Sequence, residues 1–205
     1  VVQGYGLTES TNFSCTLPID LPESTYKAVM FPHPSIGIAL DGIRIEIDAN
    51  KDKIGEVLID SESNSPGYWG GILRNNQTIR TGDIGYFKDI AGKRFYYLRG
   101  RIKELINRGG EKLYPLELEA ELRSVGVTDG HVFALPNEQF GEEVGLAVLR
   151  PFEFSNLKTV PAYRRPKKIF QVGHFPQTPT GKIQRSELTR LCQSSEVKLI
   201  WQYGR

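Results

Sequence analysis

The spacing of apolar residues changes character near Arg101, and that change limits the chain to a mixed fold in two parts. Before it, Ile43-Arg44-Ile45-Glu46-Ile47 alternates apolar and polar with period two, and Glu56-Val57-Leu58-Ile59 follows Gly55. That is the pattern of half-buried strands. Residues 83–87 and 95–98 flank the turn-forming Asp89-Ile90-Ala91-Gly92 and predict a hairpin, while 61–71 is a loop by its Ser, Asn, Pro and Gly. After Arg101 a helical period enters. Pro115 suits a first helical position, Glu117 and Glu119 suit the positive end of a helix dipole, and Leu118 and Leu122 fall on one face. The spacing predicts a helix from Pro115 to Ser124, strands over 131–135, 143–149 and 168–172, and a last helix over 186–192. The expected fold class is α+β, with a strand-rich part over 1–102 and a small α+β part over 103–205.

A chain of 205 residues can bury a real core, and 39% apolar with 24% charged residues is ordinary for a globular protein. A net charge of +2 gives no broad attraction to nucleic acid or to an anionic membrane. The cluster Arg164-Arg165-Pro166-Lys167-Lys168 could meet a phosphate, although a solvated turn explains it as well. Cys15 and Cys192 have no paired spacing and suggest neither a disulfide framework nor a metal knuckle, which fits a reducing, cytoplasmic setting. His33, His131 and His174 lack ligand spacing. No apolar run approaches the roughly 18 residues needed to span a membrane. The absence of an initiating Met and of a signal peptide suggests that the chain starts within a longer protein.

Four short segments carry chemistry. In Gln3-Gly4-Tyr5-Gly6-Leu7-Thr8-Glu9-Ser10, Gly4 and Gly6 begin a dinucleotide fingerprint that Glu9 breaks. The segment reads better as a turn whose small residues, Gly6 among them, let backbone approach a nucleotide. Tyr5 offers an aromatic face to a base, Thr8 a hydroxyl to a phosphate oxygen, and Glu9 a hard carboxylate of the kind Mg²⁺ prefers. Thr81-Gly82-Asp83 sets a carboxylate after a glycine turn, able to accept from two ribose hydroxyls. In Gly100-Arg101-Ile102-Lys103-Glu104-Leu105-Ile106-Asn107-Arg108-Gly109-Gly110-Glu111-Lys112, Arg101 offers a fixed guanidinium fork and Gly109-Gly110 lets a loop pass close to a ligand. Thr180-Gly181-Lys182 is no P-loop, because Pro176 stands at the first glycine and Ile183 at the Mg²⁺-binding hydroxyl. Each segment alone also reads as an ordinary turn or cap.

Together and in this order, from Val2 to about Leu191, the segments resemble the second half of the adenylate-forming enzymes, the acyl-CoA synthetases and acyl-AMP ligases. The resemblance implies the tail of a large AMP-binding domain followed by a mobile C-terminal lid domain. It also implies an acid–thiol ligase that turns a carboxylic acid and ATP into an acyl-adenylate and then a thioester. Tyr5, Gly6, Asp83 and Arg101 would hold ATP or AMP, Thr8 and Glu9 the phosphates and Mg²⁺, and Gly109 and Gly110 would border the pantetheine channel. Lys103 would be the hinge, and Lys182 would stabilise charge developing at phosphorus. Ile106-Asn107-Arg108-Gly109-Gly110-Glu111-Lys112 looks like the small-acid and aryl branches. Leu7 and Lys103 stand where amino-acid-activating domains usually have proline and aspartate.

CoA is the expected thiol, with the phosphopantetheine of an acyl carrier protein as the alternative. Two departures qualify this. The family's upstream phosphate loop and most of its acid pocket have no counterpart here, so the N-terminal portion would be a required partner. Residues 151–161 are too short for the helix that relatives insert there. A non-catalytic remnant or binding module is the reading of a different class.

Overall fold

The computed structural model describes residues 3–10, 13–49, 53–71, 78–194 and 197–203. The chain divides into two compact units, Val1–Ile102 and Lys103–Arg205.

The first unit holds two antiparallel sheets. Strands β1 (Gly4–Tyr5), β2 (Cys15–Thr16) and β3 (Ile38–Ala39) form a small one, with helix α1 (Glu23–Met30) between the last two in sequence. Strands β4 (Ile43–Ala49), β5 (Gly55–Ser61), β6 (Thr78–Ile90) and β7 (Lys93–Arg101) form a meander in chain order. Ala91 and Gly92, both with positive φ, close the β6–β7 hairpin. Side chains alternate across β7. Tyr96 joins Cys15, Ile36, Ile45 and Val57 in one cluster, and Phe95 and Tyr97 join Leu17 and Val29 in another. Both sheet faces are therefore buried near the hairpin.

In the second unit, β8 (Ile106–Arg108) and β9 (Glu111–Leu113) form a hairpin, followed by helix α2 (Pro115–Ser124). Strands β10 (Gly130–Asn137) and β11 (Gly141–Val148) pair antiparallel, and β12 (Lys168–Gln171) runs parallel to β11. Helix α3 (Arg185–Gln193) and strand β13 (Lys198–Gln202) complete it, β13 pairing with β12. Alternation again builds two cores. Val132, Val144, Leu146, Val148 and Ile169 meet Leu118 and Leu122 of α2, and Phe133, Leu135, Ala147 and Phe170 meet Leu188 and Cys192 of α3. Full burial of a leucine such as Leu118 contributes about 1.5–3 kcal/mol.

The α+β class stands, and α2 has the expected bounds. Most other elements run longer than their periodicity suggested, since hydrogen bonding carries a strand past its last alternating residue, but β12 ends at Gln171 and β11 at Val148, each one residue short of the expected end. The sequence patterns missed α1, which buries only Val29 and so lacks a full apolar stripe. The short 151–161 segment folds as a 3-10 helix, Phe154–Thr159, with Leu157 and Val160 inserted in the α2-side core. It is a packed part of the unit.

The basic cluster at 164–168 is largely committed to structure. Arg164 pairs with Glu121, buried Arg165 donates to the carbonyls of Lys158 and Val160, and Lys167 lies over the Tyr203 ring.

Candidate functional site

Asp83 sits directly opposite Arg101 in the β6–β7 ladder, which puts both side chains on one face of the sheet. Arg101 Nε lies 3.0 Å from Asp83 Oδ1, and the Tyr5 hydroxyl donates to Asp83 Oδ2 at 2.7 Å. The carboxylate is almost wholly buried while half of the Arg101 side chain faces solvent. Each carboxylate oxygen keeps a lone pair beyond these contacts, so two further donors, such as a pair of adjacent hydroxyls, can still be accepted.

The turn below Asp83 is held from three sides. The Thr81 hydroxyl donates to the Val57 carbonyl and accepts from the Asp83 amide, and the Gly82 amide donates to Glu56 Oε1 at 2.9 Å. Glu56 Oε2 also pairs with Arg80 at 2.5 Å. Gly82 has φ +74, a conformation that favours glycine. Glu56 was not singled out from sequence. Its signal in the sequence is its place between Gly55 and the buried Val57 and Ile59 of the same strand.

Tyr5 enters from the small sheet, where it pairs with Cys15, and its ring packs against the Cys15–Tyr96 cluster. Burial, with the neighbouring Asp83 charge adding to it, pushes the phenol far above its ordinary range. It is a permanent neutral donor. The hydroxyl is spent on Asp83 and part of the ring on the core, while the residue as a whole stays partly exposed.

Gly6 leads into a 3-10 turn, Thr8–Ser10, in which buried Ser10 bonds Leu7 and Ser14. That turn leaves Thr8 exposed. The Glu9 carbonyl accepts from Ser65 N, and its carboxylate accepts from the Tyr68 hydroxyl, so the 61–71 loop folds onto this residue. Among the described residues no group of three or more His, Cys, Asp or Glu could hold a metal. A single carboxylate such as that of Glu9 is a hard oxygen donor that could hold Mg²⁺ only together with phosphate oxygens and water.

In the second unit, Gly109 and Gly110 are the two central residues of the β8–β9 hairpin, with φ +57 and +94. Such a turn needs positive φ at both positions. The hairpin is fixed to the β10–β11 turn: Gly109 N donates to Phe140 O, Asn107 N to Glu142, and Arg108 pairs with buried Glu143 while lying over the Phe140 ring. Lys103 is exposed in a 3-10 turn, Ile102–Glu104, at the start of the unit.

Lys182 sits on a second tight hairpin. Thr178 N donates to Lys182 O, Lys182 N to Thr178 Oγ1, and Gly181 N to Thr178 O, with a bridge between Gln177 and Ile183 below. The side chain is exposed. The structure thus brings together Tyr5, Asp83 and Arg101, and it sets Lys182, Gly109 and Gly110 on hydrogen-bonded turns of the other unit.

No protein-family model matches the chain. Among curated proteins it is 36% identical over 203 residues to oxalate–CoA ligase of Arabidopsis thaliana, covering 90% of this chain and 38% of that protein. It is 30% identical over 204 residues to sulfoacetate–CoA ligase of Cupriavidus necator, covering 92% and 39%. Among solved structures, ATP-bound MatB from Rhodopseudomonas palustris superposes with a TM-score of 0.76 at 25% identity, covering 93% of this chain and 40% of that one. The chain thus spans under two fifths of the length of these curated relatives. Motif order, fold and likeness agree, and the chain belongs to the adenylate-forming, AMP-binding superfamily, with the CoA ligases as its relatives.

Proposed function

We propose that this chain is part of an acid–thiol ligase that activates a carboxylic acid with ATP and transfers the acyl group to CoA. The observation that carries the reading is the buried Asp83 carboxylate, braced by Tyr5 and Arg101 with one lone pair free on each oxygen. That is an acceptor matched to the two hydroxyls of a ribose, and the half-exposed Arg101 fork lies beside it for phosphate.

In the first step a carboxylate oxygen attacks the α-phosphorus, and the bond to pyrophosphate breaks with its electrons leaving on pyrophosphate. Lys182 stabilises the charge that builds on the phosphoryl oxygens, Thr8 donates to phosphate, and Glu9 supplies the protein carboxylate for Mg²⁺, which adds Lewis-acid screening when bound. In the second step the thiol sulfur attacks the acyl carbon, AMP leaves, and the thiol proton passes to solvent. A turn of the second unit about Lys103 exchanges Lys182 for the Gly109-Gly110 hairpin between the steps.

Pyrophosphate exchange with a panel of acids tests this, using the chain joined to or supplemented with the portion its relatives have beyond it. Exchange that falls about 10²–10³-fold in Lys182→Ala is expected. No exchange with any acid, or exchange indifferent to Lys182, would leave the binding-module reading instead. Thioester formation with free CoA, compared with a carrier protein, identifies the acceptor.

A further inference from the structure

We propose that Arg185 is a positioning residue for Lys182, acting through a buried ion cluster with Glu119 and Glu104 that fixes the lysine hairpin and ties it to the Lys103 turn. Arg185 is 8% exposed and Glu119 4%. Arg185 donates to Glu119 Oε1 at 2.8 Å, and its Nε lies 3.2 Å from Glu104 Oε2, outside hydrogen-bond alignment. Burying such charges costs several kcal/mol per ion unless geometry compensates, so the cluster is a poor choice for stability alone. Its connections suggest another use.

One end of the lysine hairpin reaches Glu119 directly, and the other reaches it through His131. On the exit side, Arg185 opens α3 three residues after Lys182, and the preceding Gln184 amide donates back to Pro176 O. On the entry side, Phe175 packs edge-on against His131 at 4.6 Å, and His131 Nδ1 lies 3.4 Å from the same Glu119 oxygen. Glu119 is itself pinned by the Val132 amide at 2.9 Å. Thr189 bonds the Ala134 carbonyl one turn further along α3. The base of the tip carrying Lys182 is therefore tied to one carboxylate, directly through Arg185 and indirectly through His131, and Glu104, the neighbour of Lys103, lies beside the same guanidinium. A flexible ammonium on a flexible loop would rarely reach one phosphoryl oxygen. On a clamped loop its Cα is fixed, and only the side chain need order.

The catalytic half of this inference rests on the role proposed for Lys182, whereas the geometric half does not. Hydrogen exchange on this chain reads the geometry alone. Arg185→Lys keeps the charge but cannot span two carboxylates with a planar fork. The Gly181 and Lys182 amides are expected to exchange about tenfold faster, with α2 and the β10–β11 ladder unchanged. Unchanged exchange at the hairpin, or a rise throughout the unit, overturns the proposal. Glu104→Gln, at the less buried partner, gives a smaller change of the same sign and serves if Arg185→Lys does not fold.

In the joined protein, Arg185→Lys should lower pyrophosphate exchange about tenfold to a hundredfold. It should spare thioester formation from supplied acyl-adenylate, and add nothing to Lys182→Ala. Equal losses in both half-reactions, or additive effects in the double variant, overturn the proposal. If Lys182→Ala leaves pyrophosphate exchange intact, the catalytic reading falls by itself, and hydrogen exchange still decides the clamp.

Discussion

The Tyr5 hydroxyl donates to Asp83 Oδ2 at 2.7 Å across 78 residues of sequence. The contact joins the small sheet to the long hairpin, and it gives the buried carboxylate one of its two compensating partners. Tyr5→Phe keeps the packed ring and removes only that donor. The expected cost is about 1–3 kcal/mol of stability, the range for leaving a buried acceptor short of a bond to a charged group. Urea unfolding of the two proteins measures it. A loss below a few tenths of a kcal/mol would mean that the pair is solvated and gives Asp83 no fixed orientation.

Cys15 and Cys192 are both buried, and burial pushes each thiol up to about 12 from its ordinary 9.0. The folded state therefore holds these protons more tightly than the unfolded chain. Their contribution is complete below pH 9 and is lost as pH rises from there to about 12, by at most about 1.4 kcal/mol per pH unit for each thiol. Native protein at pH 8 should react negligibly with a thiol reagent and label at both positions once unfolded. Rapid labelling of either in the native state would contradict this.

Local signals in the sequence were sufficient where one residue type decides the geometry. Pro115 at the first helical position with Leu118 and Leu122 on one face marked α2, and Gly109-Gly110 marked a turn. The Asp83–Arg101 pair lay beyond the expected hairpin, which stopped at Leu98, and its register depends on the irregularity between Ile84 and Gly85. The Tyr5–Asp83 bond and the Arg185–Glu119 cluster are tertiary, and no periodicity announces them. Glu119 was assigned to the helix dipole, because a charged residue between two core leucines reads as surface until its partner is seen.

Glu56 holds the Gly82 amide and Arg80, so Glu56→Ala should loosen the turn that aims Asp83. Leaving a partly buried amide unpaired costs about 1–3 kcal/mol. The test is a comparison with Arg80→Ala, which removes a solvent-exposed partner and should cost clearly less. If the two variants lose equal stability, the amide contact contributes nothing and Glu56 matters only as an ion-pair partner.

Gly110 has φ +94 and a Cβ there would meet nothing within 4 Å, so Gly110→Ala probes backbone strain with no steric clash. Holding an alanine in that region costs about 1–2 kcal/mol, enough to distort the two-residue turn without unfolding the unit. Gly109→Ala adds a contact of 3.2 Å to the Phe140 ring and should cost more. Under the proposed function the turn serves the thiol and not the phosphate. Gly110→Ala should then slow thioester formation from supplied acyl-adenylate and leave pyrophosphate exchange near its original rate. Lys182→Ala should do the reverse. The crossed pattern separates the two hairpins by function even though they belong to one compact unit. Both variants failing in the same half-reaction would assign the two turns a single role.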